Sequence, residues 1–232
     1  MSALPRVNLD RGRVIAAAID LADRDGLDTL SMRTLAAELA VTPMALYKHV
    51  ADKDDLLGGM VDAVVTSYRP PPSGLAWSAA TRDRILVARD ALLVHPWLRS
   101  ASERSTRRTP AVLGHMDAVA GELLAGGLSI DLTHHAMHAL GHRIWGFSPE
   151  AFDEAPAPEP AGITAVTSAD SMAMMAELAQ LYPAVAAIAA ESAATGGSCD
   201  EQSEFEFTLD LLLDAFARLH KSGWASRMSG AL

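Results

Sequence analysis

Apolar positions recur at helical spacing from the first residues of the chain onward. Val14, Ala18, Leu21 and Ala22 fall on one face of a helix predicted over residues 10–25, with Ile15 and Ile19 flanking it. Gly26 stands where a helix end favours glycine, and Leu27 is placed to fold back against the turn it follows. Ser31 is the N-cap of a second helix whose Leu35, Ala36 and Leu39 face inward. Ala40 takes a tight turn, and Val41 and Leu46 close the small core. Thr42-Pro43 then opens a short helix over residues 42–49, with Thr42 as cap and Pro43 at the first helical position, where its missing N–H costs nothing. Asp52 opens a fourth helix with Asp55 three residues on, and acids in a first turn suit the helix dipole.

Pro70-Pro71-Pro72-Ser73-Gly74 breaks this pattern and marks a domain boundary. The expected division is a head of residues 1–56, a connecting helix over 53–68, and a larger body of residues 57–232. Helices are predicted over 77–94, from a second cap-plus-proline pair at Thr109-Pro110 to an end at Gly126-Gly127, and over 130–148 behind Ser129. Residues 153–168 form a Pro- and Ala-rich loop, the segment 169–195 breaks near Tyr182-Pro183, and a last helix covers 201–222. Half of the residues are hydrophobic but only 5% are aromatic, so an all-α fold is favoured over a sheet.

Charge complicates the picture. The net charge is −10, with seven Lys/Arg against nine Asp/Glu in residues 1–56 and twelve against twenty in the rest. The head's cations are Arg6, Arg11, Arg13, Arg24, Arg33, Lys48 and Lys53, and the acid sits mainly in the body. A local basic face can bind phosphate on such a protein, but weakly and with strong salt dependence unless two copies act together. One cysteine, Cys199, excludes an internal disulfide, and no stretch approaches 18 uninterrupted apolar residues, so a cytoplasmic protein without membrane contact is expected. There is no Gly-rich phosphate loop, no nucleophile elbow and no paired carboxylate motif, so neither an enzyme nor a bound cofactor is expected.

The segment SMRTLAAELAVTPMALYKHVADKDDLL, residues 31–57, has the form of a helix-turn-helix, whose second helix lies in the major groove of DNA. A helix this short cannot support itself in water and must be held out by its neighbours. Over residues 9–57 the chain resembles the tetracycline-repressor (TetR) family of bacterial transcriptional regulators. The specific element is Leu46-Tyr47-x-His49 followed by Lys53. Val50 stands where the family more often has Phe, and Ala45 where Ser or Thr is frequent, which removes a hydroxyl from the groove-facing side. The resemblance implies a three-helix DNA-binding head joined to a helical ligand-binding and dimerisation body, acting as a homodimer on double-stranded operator DNA.

Chemistry and resemblance together assign the head residues. Arg33, Thr42, Pro43, Met44, Ala45 and Tyr47 are the expected base contacts; Thr42 can hydrogen-bond, and Pro43, Met44 and Ala45 suit thymine methyls. Tyr47, Lys48, His49 and Lys53 are the expected phosphate contacts, which set register but carry no sequence information. Competing readings stand beside these: Tyr47 as a core aromatic, His49 as packing, and Arg33 paired with Glu38 or Asp28.

In the body, Trp97, His115, Met116, His134, Met137, His138, Trp145 and Met175 are candidates to line a small-molecule effector pocket, a pocket implied mainly by the resemblance. His134, His138 and His142 step by four along one helix face, but no carboxylate or thiolate completes a metal set, so no metal is assigned. Phe205, Leu209, Leu212, Phe216 and Leu219 step by 4, 3, 4 and 3, a heptad seam that serves either an internal core or a partner. The resemblance implies dimerisation through C-terminal helices, with Ala136 and Ala139 on a second contributing helix. The expected function is a repressor released from its operator by an effector of unknown identity. A regulator acting without a ligand, or as an activator, would carry the same head.

Overall fold

The computed structural model describes residues 9–104, 109–145, 179–194 and 200–226. The predicted loop 153–168, Cys199 and Met175 lie outside them. Among the described residues every regular element is helical. Helix α1 spans Arg11–Asp25, a 3-10 turn Leu27–Thr29, α2 Met32–Glu38, α3 Pro43–Leu46 and α4 Lys53–Thr66. Then follow α5 Trp77–Val94, α6 Trp97–Arg104, α7 Pro110–Ala125, α8 Ile130–Trp145, α9 Pro183–Ala194 and α10 Glu201–Lys221.

Local chemistry sets the helix starts. The Asp10 carboxylate accepts the Arg13 N–H at 2.8 Å, and Asp52 accepts the Asp55 N–H at 2.8 Å. Ser31 and Thr34 form a reciprocal box: the Ser31 hydroxyl accepts the Thr34 N–H at 3.1 Å, and the Thr34 hydroxyl accepts the Ser31 N–H at 2.9 Å. At the end of α1, Gly26 has φ +81° while its N–H reaches the Ala22 carbonyl, a backbone state that glycine adopts without steric cost.

The chain divides into two compact units, residues 1–146 with 212–232, and residues 147–211. In the first unit one apolar core takes Val14, Ala18 and Leu21 from α1, Leu35 and Ala36 from α2, Leu46 and Val50 from the recognition segment, and Leu56, Met60, Val61 and Val64 from α4. It does not stop at the predicted boundary. Trp97, Leu98 and Ala101 of α6 belong to the same cluster, so the head is closed from above by a helix of the body. Helices α5, α7 and α8 of this unit pack on one another, and α7 also packs on α4. The Trp77 ring occupies the place a Cβ at Gly126 would take, and Arg84 joins α5 to α7 through Glu122 at 3.0 Å. The chain after α10 returns to α8, where Ser226 donates its N–H and hydroxyl to Asp131 and the Trp224 ring meets His135 edge-on. In the second unit, Tyr182 interrupts the helix and Pro183 begins α9, as the Tyr182-Pro183 pair predicted.

Candidate nucleic-acid interface

The turn before α3 decides how the recognition segment is presented. Ala40 sits at φ +53°, its N–H bonds to Ala37 O at 3.1 Å, and the Val41 N–H bonds to Ala36 O at 2.9 Å. This left-handed closure satisfies the last carbonyls of α2 and reverses the chain at once. Leu46 and Val50 then enter the core, 0% and 1% exposed, and hold the segment against α1 and α2. Two expectations need correction. Thr42 caps with its backbone only, since Ala45 N–H bonds to Thr42 O at 2.9 Å and no side-chain cap bond forms. Regular helix covers only Pro43–Leu46, and residues 47–49 continue as turns, with the His49 N–H on Leu46 O at 2.8 Å. The Thr42 hydroxyl is thereby spared from capping on an exposed residue.

Most of the side chains predicted to meet DNA are exposed. Arg33, Thr42, Pro43, Met44, Tyr47, Lys48 and Lys53 are exposed, Met44 by 74%, while Ala45 and His49 are half-buried. Met44 and Tyr47, the latter 48% exposed, lie outside the buried core, so Tyr47 is not a core aromatic. Glu38, one possible partner of Arg33, is instead held by Arg24 at 3.0 Å. Arg11, counted above among the head's cations, is committed to an ion pair. Its guanidinium grips both Asp55 carboxylate oxygens, at 2.6 and 2.9 Å, and the His49 carbonyl at 2.9 Å. This pair, with the Ala51 N–H on Asp55 as well, holds the Asp55 carboxyl below the usual carboxylate range.

Two family models cover most of the chain. Residues 14–60 match the model described as bacterial regulatory proteins, tetR family, and residues 70–219 match the tetracyclin repressor-like C-terminal domain. This chain belongs to the TetR family. Both matched domains are those of transcriptional regulators, not of enzymes. The transcriptional repressor DrrR1 of Streptomyces coeruleorubidus is 37% identical over 120 residues, 50% of this chain and 43% of that protein. The chain spans about half the length of the curated relatives it matches first. Among solved structures, a possible TetR family regulator from Streptomyces coelicolor A3(2) is similar with a TM-score of 0.68 at 30% identity, over 90% of this chain and all of that one. BioQ of Mycobacterium smegmatis, solved with its double-stranded DNA operator, gives a TM-score of 0.61 at 25% identity, over 91% of this chain and 99% of that one.

The TetR-type body residues fall in several places. Trp97 is 5% exposed and belongs to the core that the head shares with α6, and its Nε1–H donates to Asp23 of α1. His95 Nδ1 lies 2.8 Å from the same carboxylate, so Asp23 joins α1 to the corner between α5 and α6. Beside it is a cavity of about 260 Å³ lined by Leu27, Asp28, Pro96, Trp97 and Ser100, the place where the head meets α6. His115 is half-buried on α7, edge-on to Tyr68 at 5.1 Å. Burial, and then the Arg84 charge, push its pKa down, and burial pushes the Tyr68 hydroxyl up to about 12.

Met116 is exposed, as are His134 and His138, whose rings meet at 4.7 Å on α8; Met137 is half-buried. The side chains of His142 and Trp145 lie outside the described residues. The heptad seam is largely used within the chain. Phe205, Leu209 and Phe216 are buried, as are Ala136 and the unpredicted Leu213, while Ala139, Leu212 and Leu219 are half-buried. Sequence reasoning missed Asp23 and the true role of Arg11, because both act through partners 38 to 74 residues away.

Proposed function

We propose that this protein is a homodimeric transcriptional repressor that sets residues 42–49 of each subunit into a major groove of operator DNA and is released by a small-molecule effector. Arg33, Thr42, Pro43, Met44, Ala45 and Tyr47 read base edges, and Tyr47, Lys48, His49 and Lys53 hold phosphates. The observation that carries this reading is the contrast within one short segment: Leu46 and Val50 are locked into the core while their neighbours stand out in water. The repressor name of DrrR1 and the operator-bound state of BioQ support it.

The body supplies dimerisation and effector binding in this reading, with α4 carrying the signal from residues 57–232 to the head. Pairing runs through α8 and α10, where Ala139, Leu212 and Leu219 remain half-exposed and Phe207 and Leu211 are exposed apolar side chains. Two heads on a two-fold operator overcome the weak electrostatic attraction of an acidic protein. The effector acts by binding the two head arrangements unequally. Such a regulator works in the cytoplasm, and no described helix is long and apolar enough to cross a membrane.

The test is fluorescence anisotropy on the chain's own upstream DNA at low and physiological salt, with Tyr47→Ala and Lys48→Ala alongside. Palindrome-dependent, salt-sensitive binding that both substitutions weaken is expected. Binding without sequence preference and indifferent to both substitutions would sink the assignment of residues 42–53.

A further inference from the structure

A dense polar site of the head lies where α1, the end of the recognition segment and the start of α4 converge. Arg11 Nη1 donates to the His49 carbonyl at 2.9 Å and to Asp55 Oδ2 at 2.9 Å. Its Nη2 donates to Asp55 Oδ1 at 2.6 Å and reaches the Asp55 carbonyl at 3.5 Å. Asp55 Oδ2 also accepts the Ala51 N–H at 2.8 Å, and the Asp55 N–H goes to the Asp52 carboxylate. One guanidinium and one carboxylate thus fix both ends of the turn 49–52. Gly59 leaves the room for it, since a Cβ there would stand 3.3 Å from Arg11 Nη2 and 2.5 Å from Ile15 Cδ1.

The turn so fixed separates Lys48 and His49 from Lys53, three of the proposed phosphate contacts. A planar fork bound to two oxygens of one carboxylate sets direction as well as distance. A guanidinium committed in this way has few donors left for a phosphate. We propose that Arg11 and Asp55 are positioning residues for DNA binding: they set the spacing between the recognition segment and the N-terminus of α4, and Arg11 is not itself a phosphate contact. The inference rests on the DNA-facing surface proposed above.

The two roles predict opposite signs. Asp55 carries negative charge close to where DNA would lie, so if only charge mattered, Asp55→Asn would tighten binding. As a positioning residue its loss loosens the turn and weakens binding. The probe is a duplex recovered by random-sequence selection with the wild-type protein, titrated over a salt series. Arg11→Lys, Arg11→Ala, Asp55→Asn, the Arg11→Ala/Asp55→Asn double variant and Lys48→Ala are compared with wild type, with thermal melting of each.

Asp55→Asn and both Arg11 variants are expected to bind about tenfold more weakly, the scale of a lost charge-assisted hydrogen bond. The double variant is expected to be no weaker than the singles, since each single already breaks the pair. The salt slope of Arg11→Ala stays that of wild type, whereas Lys48→Ala lowers it by about one. Three results would overturn the proposal: Asp55→Asn binding as well as or better than wild type, Arg11→Lys binding as wild type, or Arg11→Ala lowering the slope by about one. The last two would make Arg11 a phosphate contact. If Lys48→Ala also binds as wild type, the DNA-facing surface itself is wrong and the positioning role falls with it.

Discussion

Asp23 joins head and body directly, and Asp23→Ala tests how much that joint matters. Its carboxylate accepts the Trp97 indole N–H and faces His95 Nδ1 at 2.8 Å, linking α1 to the α5–α6 corner. Trp97 is 5% exposed, so removal of the acceptor leaves a nearly buried N–H without its partner. The Asp23 and His95 side chains are 29% and 20% exposed, so water compensates for part of the loss on their side. An orphaned donor costs about 1–3 kcal/mol, and the partial exposure places the expected loss in the lower half of that range. For a unit of this size that is a fall in Tm of roughly 2–8 °C. Asp23→Asn keeps an acceptor oxygen for the indole and is expected to lose less than half as much. Trp97→Phe keeps most of the buried ring but removes the donor, and should fall between them. The assay is thermal unfolding followed by circular dichroism, with urea titration to confirm the ranking. If Asp23→Ala melts within a degree of wild type, the joint contributes nothing. If Asp23→Asn is as damaging as Asp23→Ala, charge and not hydrogen-bond geometry holds the helices together.

Three further outcomes follow from single residues. Ala40 holds φ +53° with its methyl exposed, so Ala40→Gly relieves left-handed strain and is expected to raise stability by about 0.5–1 kcal/mol in denaturant titration; a loss of stability would refute the strain argument. Leu46 is fully buried beneath the recognition segment, so Leu46→Ala should cost about 2–5 kcal/mol and abolish operator binding in the same anisotropy assay, and full retention of binding would show that the segment does not need this anchor. Burial and Arg84 lower the His115 pKa from its ordinary 6.5, so the unfolded chain takes up this proton before the folded one. Stability contributed by neutral His115 is therefore present above pH 6.5 and declines as pH falls below it, and His115→Gln should flatten Tm against pH over that window.

Much of this architecture is written locally. Asp10, Ser31, Asp52 and Thr109 cap their helices because each bond spans only three residues. The helix-turn-helix is legible for the same reason: the Ala40 turn, Pro43 and the Leu46 anchor lie within seven positions, and their chemistry needs no distant partner. An apolar stripe likewise announces that one helix face will be buried. It does not say against what. The Phe205, Leu209 and Phe216 stripe suited a partner subunit as well as an internal core, and only the folded chain buries these side chains within one molecule.

The joints between elements are beyond the reach of local reading. Arg11 counts in the sequence as a cation near a DNA-binding motif, yet 44 residues on it finds Asp55 and becomes part of the scaffold. Asp23 counts as one acid among many, until Trp97 arrives 74 residues later. Helix periodicity, caps and turn residues determined which segments are helical and which side chains of the helix-turn-helix stay out of the core, because those preferences act between residues a few positions apart. Tertiary packing decided where the head's core ends, which charges are free and which apolar faces stay open, because burial and ion pairing depend on segments that meet only once the chain has folded.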